Sequence, residues 1–387
     1  MKAIILILIN FLITFGFSVS DGLFAVVFKD VVGNGIFLSF AFFFYSFSKI
    51  IFSPFAGRIL DSMGVERVLG FSLVLFTAVS AVFILSDDKI IILTARIIQG
   101  CACAFFRPVL LCAIASEGKF SNLGRRAGQL DISFYLALAA GTFYGGFLFD
   151  ASGKTGVFIS IALCCVMSLL LFLLFRECLK THGTAKEKPS ANRLIPAANP
   201  ALTGYLVYIF FKAWGISSVC IYLPVLMHNQ GFTASNIGFA VSIPPFVMAF
   251  FLLFTGRLAD ILKKNTMVFT GGAVAAASYL SIPFAYDLPS IILIIIIGGA
   301  AGAFSQPALA ALLLESAPDG QTGRTIGLFN TVMGLGFSVS PIINGLLLKF
   351  AGIGSIFIIA GITGLLSSMY FADCTENLVG DAADYKY

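Results

Sequence analysis

Twelve runs of apolar sequence, each about 20 residues or longer, set the terms for this chain: about 3–28, 36–56, 68–86, 89–116, 124–149, 155–175, 203–227, 235–255, 266–285, 289–312, 323–349 and 353–372. In hydrocarbon every backbone N–H and C=O must find a partner within the protein, which leaves α-helices or a closed barrel. None of the runs alternates apolar and polar residues as barrel strands do. Each therefore predicts a membrane-spanning helix, which takes roughly 20 residues. Composition agrees: 59% of residues are hydrophobic and 11% charged, where a soluble domain carries roughly 25% charged residues. The first run is too long for a signal peptide, lacks a small-residue cleavage site and keeps the spacing of the others, so it is expected to be a retained helix.

The chain also repeats itself. Gly57-Arg58-Ile59-Leu60-Asp61 returns 199 residues later as Gly256-Arg257-Leu258-Ala259-Asp260. At the same offset Gly100, Pro108, Gly124, Arg125, Gly128, Gly146 and Gly153 meet Gly299, Pro307, Gly323, Arg324, Gly327, Gly345 and Gly352. A constant offset over about 95 residues predicts two related halves, a design used by transporters. The expected fold is an all-α membrane protein of 12 transmembrane helices in two pseudo-symmetric six-helix bundles, residues 1–175 and 203–372. A polar linker at 176–202 joins them, and an acidic tail, 373–387, follows.

Loop charge sets the orientation. With a cytoplasmic N-terminus, 16 Lys and Arg residues fall on the cytoplasmic side and four on the other. Both termini are thus expected in the cytoplasm, and the protein in a cell membrane, a bacterial inner membrane. The net charge of +5 reflects this topology, which argues against nucleic acid as a partner. The eight cysteines show no metal-ligand spacing, and most lie inside spans, where they read as small packing residues. An enzyme needs a nucleophile with a base, or a metal set. The two histidines, His182 in the linker and His228 at a span end, supply neither.

A charge at the bilayer centre costs at least about 2.5–3.5 kcal/mol, so it marks function by default. Six stand out: Asp21 in the first span, Lys49 in the second, Arg96 and Arg107 in the fourth, Asp131 in the fifth and Lys212 in the seventh. Matching depths, at roughly 1.5 Å per residue, allow the ion pairs Asp21–Arg96 and Asp131–Arg107. These pairs are the candidates for proton coupling, with Asp21 as the proton site whose protonation frees Arg96. The competing reading is two static pairs that fix helix packing. Lys49 and Lys212 have no obvious acidic partner and point to an anionic substrate; the alternative is that one snorkels to the cytoplasmic surface or rests neutral with a depressed pKa. Tyr135, Tyr144, Trp214, Gln306 and Asn330 complete the candidate substrate site. The phenylalanine runs, such as Phe42-Phe43-Phe44, read as lipid or helix contacts.

At these residues the chain resembles the major facilitator superfamily. Its loop motif, Gly-x-x-x-Asp-x-x-Gly-Arg, appears as Gly57, Asp61 and Gly64, with Val65 where the arginine stands. The second copy keeps Gly256 and Asp260 but has Lys263 in place of the later glycine. The Arg-x-x-Gln-Gly motif matches as Arg96, Gln99 and Gly100, and in related proton-coupled members this arginine is linked to coupling. The antiporter motif Gly-Pro-x-x-Gly-Gly is present as Gly141-Thr142-Phe143-Tyr144-Gly145-Gly146, with threonine replacing proline. The resemblance implies a secondary active transporter of a small molecule, working as a monomer by alternating access. It would draw on a proton gradient and need no cofactor or metal. Efflux by antiport leads; import of an organic anion by symport is the alternative, and a non-transporting receptor or scaffold on the same fold a third. The loop copies suggest a conformational latch, with Asp61 docking near Arg324 and Asp260 near Arg125, flanked by Arg58 and Arg257.

Overall fold

In the computed structural model of the chain, residues 2–28, 35–115, 123–179, 200–315 and 322–384 are described. Side chains at 35, 57–58, 61, 115, 123–127, 200–201, 256–257, 259–260, 314, 322–324, 326 and 376–384 lie outside that set. The described elements are helical: α1 (Lys2–Asp21), α2 (Phe24–Val27), α3 (Gly35–Leu85), α4 (Lys89–Ala115), α5 (Leu123–Leu174), α6 (Arg176–Leu179), α7 (Pro200–Asn229), α8 (Ala234–Ile261), α9 (Lys264–Ser281), a 3₁₀ turn (Ile282–Phe284), α10 (Leu288–Glu315), α11 (Thr322–Ala351) and α12 (Ile353–Asp384).

At 51 and 52 residues, α3 and α5 are too long for one crossing. At 1.5 Å per residue each would extend more than 70 Å, against about 30 Å of hydrocarbon. Each holds one non-helical residue, Gly64 (φ 79°, ψ 161°) or Gly153 (φ 63°, ψ −162°), and the chain reverses there. That backbone region is essentially restricted to glycine. Eleven helical stretches among the described residues are long and apolar enough to cross a membrane. One of them, Gly128–Leu174, contains the Gly153 reversal, so they make twelve crossings.

The repeat carries over to these reversals only in part. Gly352, the counterpart of Gly153, also has a positive φ, 79°, between α11 and α12. Lys263, the counterpart of Gly64, has φ −62° and ψ 114°, an extended conformation open to any residue, between α8 and α9. The two copies of the loop motif therefore turn differently.

Two features depart from the sequence reading of the spans. The first is broken: α1 stops at Asp21 and a separate turn, α2, begins at Phe24. The last helix does not stop near 372 but continues to Asp384. By its packing the chain divides into two compact units, Met1–Glu187 with Leu223–Phe246, and Lys188–Tyr222 with Val247–Tyr387. The end of α7 and the start of α8 thus pack with the first unit.

Within the first unit the main pairings are α1 with α5 and α3 with α4. Lipid is as apolar as leucine, so helices gain by close packing and small residues matter. A Cβ added at Gly141 would lie 2.5 Å from the carbonyl oxygen of Phe15, and one at Gly145 would lie 2.1 Å from that of Val19. Two turns of α5 thus lie directly on the backbone of α1. In the second unit α9 packs on α10 and α12. A buried cluster there gathers Tyr205, Tyr208, Leu309 and Phe371.

Candidate functional site

The break in the first span exposes the reason for Asp21. It is the last residue of α1, next to Gly22, where the N–H of Leu23 donates to the carbonyl of Ser20 at 3.0 Å. From α4, Arg96 reaches this point and donates through Nη1 to Asp21 Oδ1 at 2.7 Å and to Gln99 Oε1 at 2.9 Å. Arg96 and Gln99 belong to one helical turn, so the Arg-x-x-Gln spacing places the glutamine beside the guanidinium. The Arg96 side chain is 1% exposed and that of Asp21 28%. The cation is sealed while the carboxylate retains an open face.

The second pair sits in a different setting. Arg107 Nη2 donates to Asp131 Oδ1 at 2.6 Å, and the two side chains are 41% and 43% exposed. Its guanidinium carbon lies 4.7 Å from the centre of the Phe134 ring, and Tyr135 packs edge-on against that ring. An open, half-solvated pair suits contact with a ligand or water better than storage of a buried charge.

In the second unit, Lys212 of α7 donates to Ser305 Oγ at 2.9 Å and to Gln306 Oε1 at 2.8 Å, both on α10. Gln306 is thus a partner of Lys212. Because Gln306 is the repeat counterpart of Arg107, this half replaces an arginine–aspartate pair with a lysine held by neutral acceptors. Trp214, two residues after Lys212, is buried with an unpartnered indole N–H. Tyr144 is exposed and stacks on Phe15 at 5.8 Å, and Asn330 is exposed. Lys49 is exposed and has no hydrogen-bond or ion-pair partner among the described residues. The latch lies outside the described residues: the side chains of Arg58, Asp61, Arg125, Arg257, Asp260 and Arg324 are not among them. Of that group Gly64 is described, at the α3 reversal.

Sequence reasoning missed three groups. Of the two readings for Phe42, lipid or helix contact, it is the second, and of a kind not foreseen: with Phe24 and Phe83 it faces the Arg96 guanidinium. Thr142, where the antiporter motif has proline, is buried against Gly22; a Cβ there would sit 2.4 Å from the threonine methyl. Its hydroxyl donates to Leu138 O at 2.9 Å. Asp150 accepts the N–H groups of Ala234 and Ser235 at 3.2 and 2.7 Å and the Ser235 hydroxyl at 2.5 Å, and so caps α8. The flanking backbones touch: a Cβ at Gly146 would lie 2.4 Å from Ala234 O and 3.0 Å from the Gly238 Cα. Only Asp150 carried a readable signal, an acid at a span end, and nothing pointed it at α8.

Comparison with known proteins agrees with this architecture. A family profile described as the Major Facilitator Superfamily matches residues 6–230 and 205–375. The chain is similar to Multidrug resistance protein 2 of Bacillus subtilis (strain 168), with 23% identity over 315 residues, 78% of each protein. It is also similar to the Quinolone resistance protein NorA of Staphylococcus aureus (strain COL), with 21% identity over 343 residues, 87% of each. Among solved structures, a bacterial homolog of the human lysosomal transporter Spinster, inward-facing and occupied, superposes with a TM-score of 0.79 at 12% identity. That match covers 98% of this chain and 97% of the other, and it speaks to the fold alone.

Proposed function

The chain belongs to the major facilitator superfamily, and on that premise we propose that this multi-pass membrane transporter is a proton-coupled exporter of small molecules, working by antiport and alternating access. It is a transporter and not an enzyme, as its relatives are. The observation that carries the finer reading is the Asp21–Arg96 pair at 2.7 Å, with the arginine buried and the carboxylate partly open. A carboxylate with one face sealed by a cation and the other open can take a proton, and its neutralisation removes a strong interaction from the conformer that holds it. Two relatives named for drug resistance support the export direction. In this reading the exposed Arg107–Asp131 pair, with Phe134 and Tyr135, meets the substrate. The protein acts as a monomer in a bacterial inner membrane with both termini in the cytoplasm, and the loop carboxylates Asp61 and Asp260 serve as its latch.

Purified protein in liposomes with an imposed pH gradient, given ethidium as the probe cation, tests the proposal. Native protein is expected to accumulate ethidium against its gradient only when the pH gradient is present. Asp21→Asn should lose that response and keep downhill exchange. An Asp21→Asn protein that responds to the pH gradient as the native one does ends the role of Asp21.

One observation favours a second reading, import of an organic anion by symport. Among the described residues Lys212 is met by Ser305 and Gln306 and by no carboxylate, which leaves it suited to a ligand anion. Binding of small carboxylates, measured calorimetrically, should weaken about tenfold or more in Lys212→Met under this reading. Equal affinities in the two proteins would reject it.

A further inference from the structure

Arg96 is fully buried and only one of its three nitrogens is satisfied: Nη1 serves both Asp21 and Gln99, while Nε and Nη2 have no hydrogen-bond partner. Three phenylalanine rings lie around it instead. The guanidinium carbon is 3.9 Å from the centre of Phe24, 5.4 Å from Phe42 and 5.7 Å from Phe83. The cage is braced: Phe24 meets Phe42 at 5.5 Å and Phe28 at 4.4 Å, and Phe28 meets Phe83 at 5.9 Å. A ring face carries partial negative charge and attracts a cation most strongly where water is excluded.

The placement of the nearest ring matters. Asp21 ends α1 and Phe24 begins α2, so one guanidinium holds both sides of the break in the first span. We infer that Phe24 is a positioning residue for proton coupling: its ring fixes the Arg96 cation across the break, so that protonation of Asp21 frees the end of α1 and not the arginine. The inference rests on the reading of Asp21 as the proton site. The proton adds to an Asp21 carboxylate oxygen and neutralises it, while arginine stays charged throughout. The ring contact does not depend on the carboxylate, so the cation stays where it was and the end of α1 loses its ion-pair tie to Arg96, while α2 keeps its ring contact. Among the described residues, the other titratable groups near the pair are Tyr45 of α3 and Cys103 of α4, bonded to each other at 3.4 Å. From α5 the neighbouring contact is the uncharged Thr142, against Gly22.

The experiment replaces Phe24 with 3,4,5-trifluorophenylalanine, which keeps the shape of the ring and strips the negative charge from its face. Full-length protein in nanodiscs is titrated by infrared difference spectroscopy, following the carboxylic-acid band that Asp21→Asn removes. Weaker fixing of Arg96 leaves the carboxylate less well paired, so the midpoint should rise by about one pH unit, a tenfold gain in proton affinity. Phe24→Leu should move it in the same direction, and trifluorophenylalanine at Phe43 should leave it in place. An unchanged midpoint with fluorinated Phe24 overturns the positioning role and leaves Asp21 as the proton site. If native protein shows no Asp21-dependent band, the proton-site reading fails and the coupling role of Phe24 falls with it. The contact itself is then judged by melting temperature: fluorination at Phe24 should destabilise the native protein and have no effect in Arg96→Met, and equal effects in both would dismiss it.

Discussion

Removing the carboxylate of Asp150 tests whether the first turn of α8 depends on a residue more than 80 positions away. A helix start leaves four N–H groups without intrahelical partners. Here the N–H of Asn236 donates to Thr233 Oγ1 at 3.3 Å, a local cap. The N–H of Ile237 donates to the carbonyl of Thr233 at 3.1 Å and begins the ladder. Ala234 and Ser235 donate to Asp150. Truncating a capping side chain costs about 0.5–2 kcal/mol, and an exposed negative charge at a helix start adds about 0.3–1 kcal/mol. Asp150 is exposed, so the sum for Asp150→Ala belongs near the low end, about 1–2 kcal/mol, a factor of about 5–30 in the opening equilibrium. Hydrogen exchange should therefore accelerate by that factor at the amides of Ala234 and Ser235 and stay unchanged in α12. Asp150→Asn keeps an acceptor but loses the charge, so it should show roughly half the free-energy effect. Native exchange rates at both amides in a folded Asp150→Ala protein would mean that water caps the helix just as well and that the contact contributes nothing.

Three further outcomes follow from the backbone and the loops. Gly145→Val places a Cβ 2.1 Å from the Val19 carbonyl oxygen, an overpacking expected to cost about 1–3 kcal/mol or more; its melting temperature should fall well below that of Gly302→Ala, where nothing lies within 4 Å. Gly153→Ala meets no atom within 4 Å yet forces a side chain into φ 63°, ψ −162°; it should destabilise by about 1–3 kcal/mol through backbone strain alone, and an unchanged denaturation midpoint would contradict the reversal described for α5. At the start of α10, the N–H of Ser290 and then its hydroxyl hold the Asp287 carboxyl below the usual carboxylate range. A lowered value contributes stability above the ordinary carboxylate pKa of about 3.9 and loses it as pH falls through the folded value. Melting temperature should drop less on acidification in Asp287→Asn than in native protein, and parallel curves would count against the cap.

The spans and the repeat were readable because lipid imposes long apolar runs and because two copies at one offset leave the same glycines. Depth arithmetic along those spans was enough to put Asp21 beside Arg96 and Asp131 beside Arg107, since helix rise is nearly constant. The break at Gly22–Leu23 was not legible: one glycine in an apolar run looks like any packing glycine until Thr142 is seen against it. Nor was the cage, because Phe42 in a run of three phenylalanines carries no mark of which ring turns inward. Lys212 looked like a free cation only because serine and glutamine acceptors on a distant helix leave no charge pattern in the sequence. Asp150 drew no notice for the same reason, since its partners are backbone N–H groups on a distant helix.

The seating of Gly141 and Gly145 on the α1 backbone bears on how loss-of-function data for this chain are to be interpreted. Positions 141 and 145 have no side chain and offer a solute nothing to hold. Yet with carbonyl oxygens within 2.5 Å of any added carbon, mutational scanning will score both as intolerant, alongside the true ligand contacts. Intolerance there will report the fit of two backbones, and a map of the transport path drawn from scan severity alone would run through the wrong wall of the bundle.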